Sequence, residues 1–165
     1  MCSESVALIA NLPDSSLTAD SVYLNSSSRA APRSRLHTRT EAGVGHGGWA
    51  SAENGYPSWI QVDLLDVYHV HAVATQGRDF GHFTQFVSEY SLFYGVTEEL
   101  LQPVLNATGN TMLFTGNTEQ YNVVTNEFDP VRTRFVRLNI MSYRSHPALR
   151  WEVYGCFAGV LCLHV

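Results

Sequence analysis

Short runs in which apolar and polar residues alternate are the feature that most constrains how this chain can fold. Segment 59–64 is the clearest example, because every second residue from Ile60 onward is apolar and the residues between them are Gln61 and Asp63. A period of two is typical of a half-buried β-strand. Similar runs cover 67–76, 90–94, 122–128, 134–140 and 149–154. The pattern predicts an all-β sandwich or barrel, with 59–64 and 67–76 forming a hairpin.

Long polar or glycine-rich stretches separate these runs, at 25–35, 38–58, 78–85 and 141–147. Loops longer than about 12 residues are uncommon in a compact domain unless they have a function. In a rigid sandwich such loops gather at the ends, where they form a binding surface. We therefore expect the function of this chain to reside in these four stretches.

Composition and charge limit the classes of function. The 165 residues suit one domain, and a composition that is 45% hydrophobic, 12% aromatic and only 15% charged excludes a disordered chain. The net charge is −5, although the chain carries ten arginines and no lysine. Because nucleic-acid-binding domains are usually basic, no nucleic-acid partner is expected.

We expect neither a signal peptide in residues 1–10 nor a membrane span in residues 157–165 of this sequence. Residues 1–10 lack the cationic start and the apolar run of a secretory signal peptide. Residues 157–165 are apolar, but a helix needs about 20 residues to cross a bilayer. We expect the chain to be a module of a larger multidomain protein.

Motifs of known enzymes are missing, so the chain is not expected to be an enzyme. It contains no Gly-x-Ser-x-Gly elbow, no HExxH and no phosphate-binding loop. One alternative stays open, because His69 and His71 would lie on one face of a strand, as in metal-dependent β-sandwich enzymes. The residues that follow, 72–75, supply no third ligand.

Three motifs in a fixed order carry a family resemblance: Trp59–Leu64, then Thr75–Arg78, then Leu149–Cys156. Together with Phe135–Leu138 they make the chain similar to the discoidin domain, also called the coagulation-factor five/eight C-type domain. The resemblance implies a discoidin-like jelly-roll β-sandwich of about eight main antiparallel strands, with ligand-binding loops at one end. It implies a domain over 2–156, and leaves 157–165 as an apolar tail or the start of a following segment.

The same resemblance implies an adhesion or ligand-binding function outside the cell or on its surface. Glycans, proteins and anionic phospholipids of a cell surface or matrix are the ligands it allows. We expect a glycan or a protein, because a net charge of −5 gives no general attraction to anionic membranes. No cofactor is expected; some members of the family bind calcium, but this chain has no Asp-rich loop for it.

Candidate ligand-binding residues lie in or beside the long loops. Arginines between 29 and 39 could bind anionic groups through their guanidinium forks, and exposed aromatic residues could anchor a ligand. The candidates are Arg29, Arg33, His46, Trp49, Arg78, Phe80, His82, Phe83 and Arg144. Asn25 and Asn106 begin Asn-x-Ser/Thr triplets and are candidate glycosylation sites.

Two structural pairings are also expected. The resemblance implies a disulfide between Cys2 and Cys156, which would leave Cys162 beyond the domain. A bridge that closes so long a loop is worth about 5 kcal/mol in the chain-entropy model, and it indicates an oxidising compartment. Asp63 and Arg150 lie in two of the motif strands, and we expect them to form an ion pair between strands.

Overall fold

The structure is a computed structural model that describes residues 4–52 and 58–159. Its strands are β1 (Val6–Ala7), β2 (Leu17–Ala19), β3 (Trp49–Ala50), β4 (Trp59–Gln76), β5 (Phe86–Gly95), β6 (Gln102–Pro103), β7 (Leu113–Thr115), β8 (Val124–Arg144) and β9 (Ala148–Phe157). Short turns of 3-10 helix occupy Asp14–Ser16, Tyr23–Asn25, Ser27–Arg29, Ala31–Ser34 and Glu98–Leu100. In the part of the chain described, none of the helices is long and apolar enough to cross a membrane.

Strands β4 and β8 are the frame of an antiparallel sandwich. They pair with each other along most of their length, and the ladder shifts register between Asp63 and Tyr68. Before this shift β4 also pairs with β2, and after it β4 pairs with β9. Each long strand therefore contributes to both layers, and the expected β-sandwich is confirmed.

The predicted hairpin between 59–64 and 67–76 is wrong, because these residues form one continuous strand. The break that the sequence pattern shows is a bulge, in which Leu65 has a φ of 65°. In the same way, the predicted runs 122–128 and 134–140 belong to the single strand β8, which begins at Val124. Pro130 is tolerated within β8 because it lies opposite a second register shift, where the ladder does not require its missing N–H.

The core lies between the two layers and follows from the alternation in the sequence. Ile60, Val62 and Leu64 on β4 face inward, as expected, and Trp151 on β9 packs in the same cluster. Gln61 hydrogen-bonds to Arg137 and Glu98. Asp63 pairs with Arg134 of β8 through two hydrogen bonds of 2.7 and 2.8 Å, so the expected pairing with Arg150 is wrong.

The N-terminal strand β1 lies along the last strand, with Val6 opposite Gly155. The buried Glu152 carboxylate holds the segment after β1, because it accepts hydrogen bonds from the backbone N–H of Ile9 at 2.6 Å and of Ala10 at 3.0 Å. Cys156 on β9 is disulfide-bonded. The other two cysteines, Cys2 and Cys162, lie outside the described residues, so their pairing stays a prediction.

The strand order brings several loops to one end of the sandwich. Phe86, at the start of β5, lies opposite Arg144, at the end of β8. Gln76, at the end of β4, lies opposite Arg150 near the start of β9. The loops that follow β4 and β8 therefore meet at this end, which we call the loop end.

Candidate ligand-binding site

Backbone contacts join the first three long loops at the loop end. Gly47 and Asp79 exchange backbone hydrogen bonds of 3.2 and 2.6 Å, and the His46 N–H donates to the Ser28 carbonyl at 2.8 Å. Only glycine fits at position 47, because a Cβ there would lie 2.4 Å from the Thr38 carbonyl oxygen. The glycines of this loop therefore allow close packing of backbone against backbone.

Two arginines hold the loops in place through carbonyl oxygens. The buried Arg150 donates to Gly77 O at 2.7 Å, to Thr38 O at 3.0 Å and to Gln120 O at 3.4 Å. Burial is the main reason that the pKa of its guanidinium is lowered. Arg33 donates to the carbonyls of His46, Arg39 and Gly45. The guanidinium of Arg33 thus holds loop backbone and does not line the pocket described next, and its contact with a ligand stays a prediction.

A pocket of about 220 Å³ opens between these loops. It is small beside the 300–1,000 Å³ clefts that take drug-sized ligands, and suits a single ring or a compact head group. Its described lining consists of Tyr23, Arg29, Arg78, Phe80, Phe83, Gln85 and His146. Among the nine candidate ligand contacts, four therefore line the pocket: Arg29, Arg78, Phe80 and Phe83.

Arg78 is the central group of the pocket. It is only 4% exposed, and its Nη1 donates to Gln85 Oε1 at 2.8 Å. Its Nε and Nη2 have no hydrogen-bond partner among the described residues. Burial, followed by repulsion from Arg29, lowers the pKa of the guanidinium to about 10, so Arg78 is still cationic at pH 7. A buried cation with two unused donors is costly unless something else accepts from it.

Arg29 is the second cation and lies beside aromatic rings. Its guanidinium carbon lies 5.0 Å from the centre of the Tyr23 ring, and its Nη2 lies 3.4 Å from Nε2 of His46. The buried Nε of Arg29 likewise has no partner in the described ranges. Burial, then the charges of Arg78, Arg29 and Arg33, lower the pKa of His46 and favour its neutral form.

Aromatic rings form the remaining wall. Phe80 and Phe83 stack with their centres 5.1 Å apart and their planes 13° apart, and the Arg78 guanidinium carbon lies 4.5 Å from the centre of the Phe80 ring. The edge of His46 meets Phe80, with the ring centres 4.1 Å apart. Phe83 remains 60% exposed at the rim. His46 thus supports the pocket from behind, although it is not part of the lining.

Three lining residues were not among the candidates. Tyr23 packs edge to face with His146, at 5.2 Å between ring centres. His146 is buried, and its Nε2 lies 2.8 Å from the Ser51 carbonyl oxygen, to which it can only donate. Gln85 orients Arg78, as described above. Tyr23 and His146 come from loops far apart in the sequence, so no local motif marks them, whereas Gln85 lies in the same stretch, 78–85, as Arg78 and was passed over because an amide side chain carries no distinctive signal.

The other candidate residues lie elsewhere. Trp49 is fully buried and donates from Nε1 to the Ser21 carbonyl at 2.9 Å, so the expected ligand contact is wrong. His82 and Arg144 are exposed but do not line the pocket. Asn25 is exposed two residues from Tyr23, whereas Asn106 is exposed in a distant turn. Glycosylation of both remains a prediction.

The metal-enzyme alternative gains no support. His71 falls at the register shift between Val70 and Ala72, and its Nε2 lies 2.8 Å from Ser5 Oγ. Across residues 4–52 and 58–159, no group of three or more His, Cys, Asp or Glu side chains could hold a metal ion. His69 and His71 therefore have no third ligand in the described part of the chain.

Comparisons with known proteins agree on the fold. The F5/8 type C domain model matches residues 16–153. Lactadherin from Rattus norvegicus is 32% identical over 162 residues, which cover 94% of this chain but 36% of lactadherin. Discoidin II from Dictyostelium discoideum superposes with a TM-score of 0.79 at 25% identity, over 93% of this chain and 59% of discoidin II. A family 32 CBM from C. perfringens NanJ, solved in complex with galactose, shares the fold alone, with a TM-score of 0.59 at 17% identity over 92% of this chain and 99% of the module.

Proposed function

The chain belongs to the F5/8 type C domain family, and from this premise we propose that it is a binding module, not an enzyme, that recognises a ligand through the pocket at its loop end. One observation carries the proposal. Loops distant in sequence converge on two arginines that hold three buried N–H donors without a partner among the described residues, beside two stacked phenylalanines of which Phe83 is exposed. Such a set of convergent polar groups with an apolar wall is typical of ligand sites.

We place the module outside the cell or on its surface. The disulfide at Cys156 supports this placement, because such bonds persist in oxidising compartments. The exposed positions of Asn25 and Asn106 are compatible with glycosylation there. Since the chain spans only about a third of lactadherin, we propose that it serves adhesion within a larger multidomain protein.

The ligand would be a glycan, a protein or an anionic phospholipid of a cell surface or matrix. A glycan or protein remains our preference, because the net charge of −5 opposes general attraction to anionic membranes. The glycosylation triplet at Asn25 supports this preference, since an attached glycan beside the pocket would hinder close approach to a bilayer.

Binding at the loop end is tested by truncating two exposed phenylalanines at opposite ends of the sandwich. The oxidised chain is screened against immobilised glycans, matrix proteins and phosphatidylserine vesicles. Phe83→Ala should weaken binding to the ligand found by at least tenfold, because Phe83 forms the rim of the pocket. Phe157→Ala, which removes a similarly exposed ring far from the pocket, is the control and should leave binding unchanged.

Two outcomes would contradict the proposal. Equal losses from Phe83→Ala and Phe157→Ala would mean that the ligand does not bind at the loop end. No binding to any of the three ligand classes, by a chain that unfolds cooperatively, would mean that the domain is a structural spacer.

A further inference from the structure

We propose that the pocket at the loop end binds the carboxylate of an acidic saccharide, with the guanidinium groups of Arg29 and Arg78 as its receptors. The inference rests on the proposed function and names the chemical class of its ligand. A uronic acid residue in a glycan chain has the required chemistry, since it joins a carboxylate to a pyranose ring.

The charge of the pocket points to an anion. Arg29 and Arg78 are two cations in one cavity, and no carboxylate belongs to its described lining. Nearby acidic side chains are engaged elsewhere: Asp79 Oδ2 accepts from the Thr40 N–H at 2.8 Å, and Glu41 lies 4.0 Å from Arg33. Repulsion from Arg29 lowers the pKa of Arg78, no carboxylate of the described lining offsets it, and a bound anion would relieve it.

The unused donors define what the anion must offer. Arg78 Nε and Nη2 form one edge of a planar fork, and neither they nor Arg29 Nε have a partner within residues 4–52 and 58–159. A guanidinium edge with two parallel N–H groups matches the two oxygens of a carboxylate. Gln85 accepts from Arg78 through Oε1, which leaves its Nε2 as a further donor. A neutral sugar could accept from these donors through hydroxyl groups, but it would leave the two positive charges unbalanced.

The aromatic wall favours a saccharide over a phospholipid head group. Phe80 and Phe83 stack on each other, and the exposed Phe83 can receive the flat C–H face of a pyranose ring. A phosphoserine head group has no such face. The cavity of about 220 Å³ is also of a size for one sugar ring, with the rest of a glycan chain leaving through the open side.

The test compares sugars that differ only in the carboxylate. The oxidised full chain, labelled with 15N, is titrated with methyl galacturonide, methyl galactoside, glucuronate and glucose, and the Nε–H resonances of Arg29 and Arg78 are followed by NMR. We expect at least one uronate to bind ten or more times tighter than its neutral partner, with shifts in both arginine resonances. Arg29→Gln should weaken uronate binding at least tenfold. Arg132→Gln, which changes an exposed arginine on β8, is the control and should leave uronate binding unchanged.

Other outcomes overturn the inference, and they separate it from the proposed function. Equal affinity for neutral and acidic sugars would refute the carboxylate while keeping a glycan-binding module. Binding of phosphatidylserine vesicles that depends on Arg29, without any shift from uronates, would reassign the pocket to a membrane. Sugar binding that leaves both arginine resonances unmoved would place the site elsewhere. No binding of any sugar would refute the carboxylate inference alone, because the proposed function would still be judged by the screen against matrix proteins. A guanidine denaturation curve shows whether Arg29→Gln is folded.

Discussion

Replacing Arg150 with methionine tests how the loop end is held together. Arg150 is buried, and its guanidinium donates to carbonyls of three separate segments through Gly77, Thr38 and Gln120. Methionine keeps most of the apolar stem but removes every donor. The variant therefore leaves carbonyl groups buried without partners.

The magnitude follows from those contacts. The buried hydrogen bond of 2.7 Å to the Gly77 carbonyl counts fully, the part-buried one of 3.0 Å to the Thr38 carbonyl counts in part, and the one of 3.4 Å counts little. An orphaned buried acceptor costs about 1–3 kcal/mol, so the first two together cost about 2–5 kcal/mol. Removal of the buried charge returns part of this cost, since burial lowers the pKa of Arg150 and so disfavours its charged form. We expect Arg150→Met to lower the free energy of unfolding by about 3 kcal/mol.

Urea denaturation of the oxidised chain measures this loss. Amide hydrogen exchange should show faster exchange around the segments that hold the three carbonyls than in the centre of β8. A double-mutant cycle with Asp63→Asn should show no coupling, because Asp63 pairs with Arg134 instead. A loss below about 1 kcal/mol, or coupling between Asp63 and Arg150 above about 1 kcal/mol, would refute the assignment of Arg150 as a loop clamp.

Two further predictions concern the chain ends. Cys2→Ser should destabilise the oxidised domain by several kcal/mol, up to about 5 kcal/mol in the chain-entropy model. Cys162→Ser should have little effect on thermal unfolding. Equal effects of the two substitutions would contradict the Cys2–Cys156 pairing. Burial raises the pKa of Glu152, although backbone N–H groups of Ile9, Val153 and Ala10 donate to its side chain and act in the opposite direction. Its contribution to the free energy of unfolding is therefore full below the pKa that it has in the unfolded chain, and is lost as the pH rises through its pKa in the folded chain. Glu152→Gln should lower the free energy of unfolding by about 1–3 kcal/mol at acidic pH and should flatten its dependence on pH between the two pKa values. An unchanged slope of this free energy against pH would show that Glu152 does not titrate as described.

The strands could be predicted from the sequence because their signal is local. Ile60 and Gln61 alternate between core and sheet face over successive residues, and the pattern needs no knowledge of distant chain. The continuity of β4 could not be predicted, since the bulge at Leu65 resembles a hairpin turn in sequence. The pattern showed where strands form but not where one strand bends from one layer to the other.

The candidate site was predicted in part for the same reason. Arg78 and Phe80 lie two residues apart in the stretch 78–85, one of the four in which function was expected, and both line the pocket. Tyr23 and His146 meet only in three dimensions, so nothing local identified them. Trp49 looked like a loop residue because its strand is two residues long, and its burial depends on pairing with β9.

The pairing of β1 with β9 also has a mechanical consequence. β9 starts at the loop end and, at about 3.3 Å per residue, carries the chain about 23 Å away between Ala148 and Gly155, where Val6 joins it. Both the incoming and the outgoing chain therefore attach to the domain on the side far from Arg78. A tether at either place points the loop end outward, and with the expected Cys2–Cys156 disulfide in place, tension between neighbouring segments would pass through that bond to β9 without loading the loops.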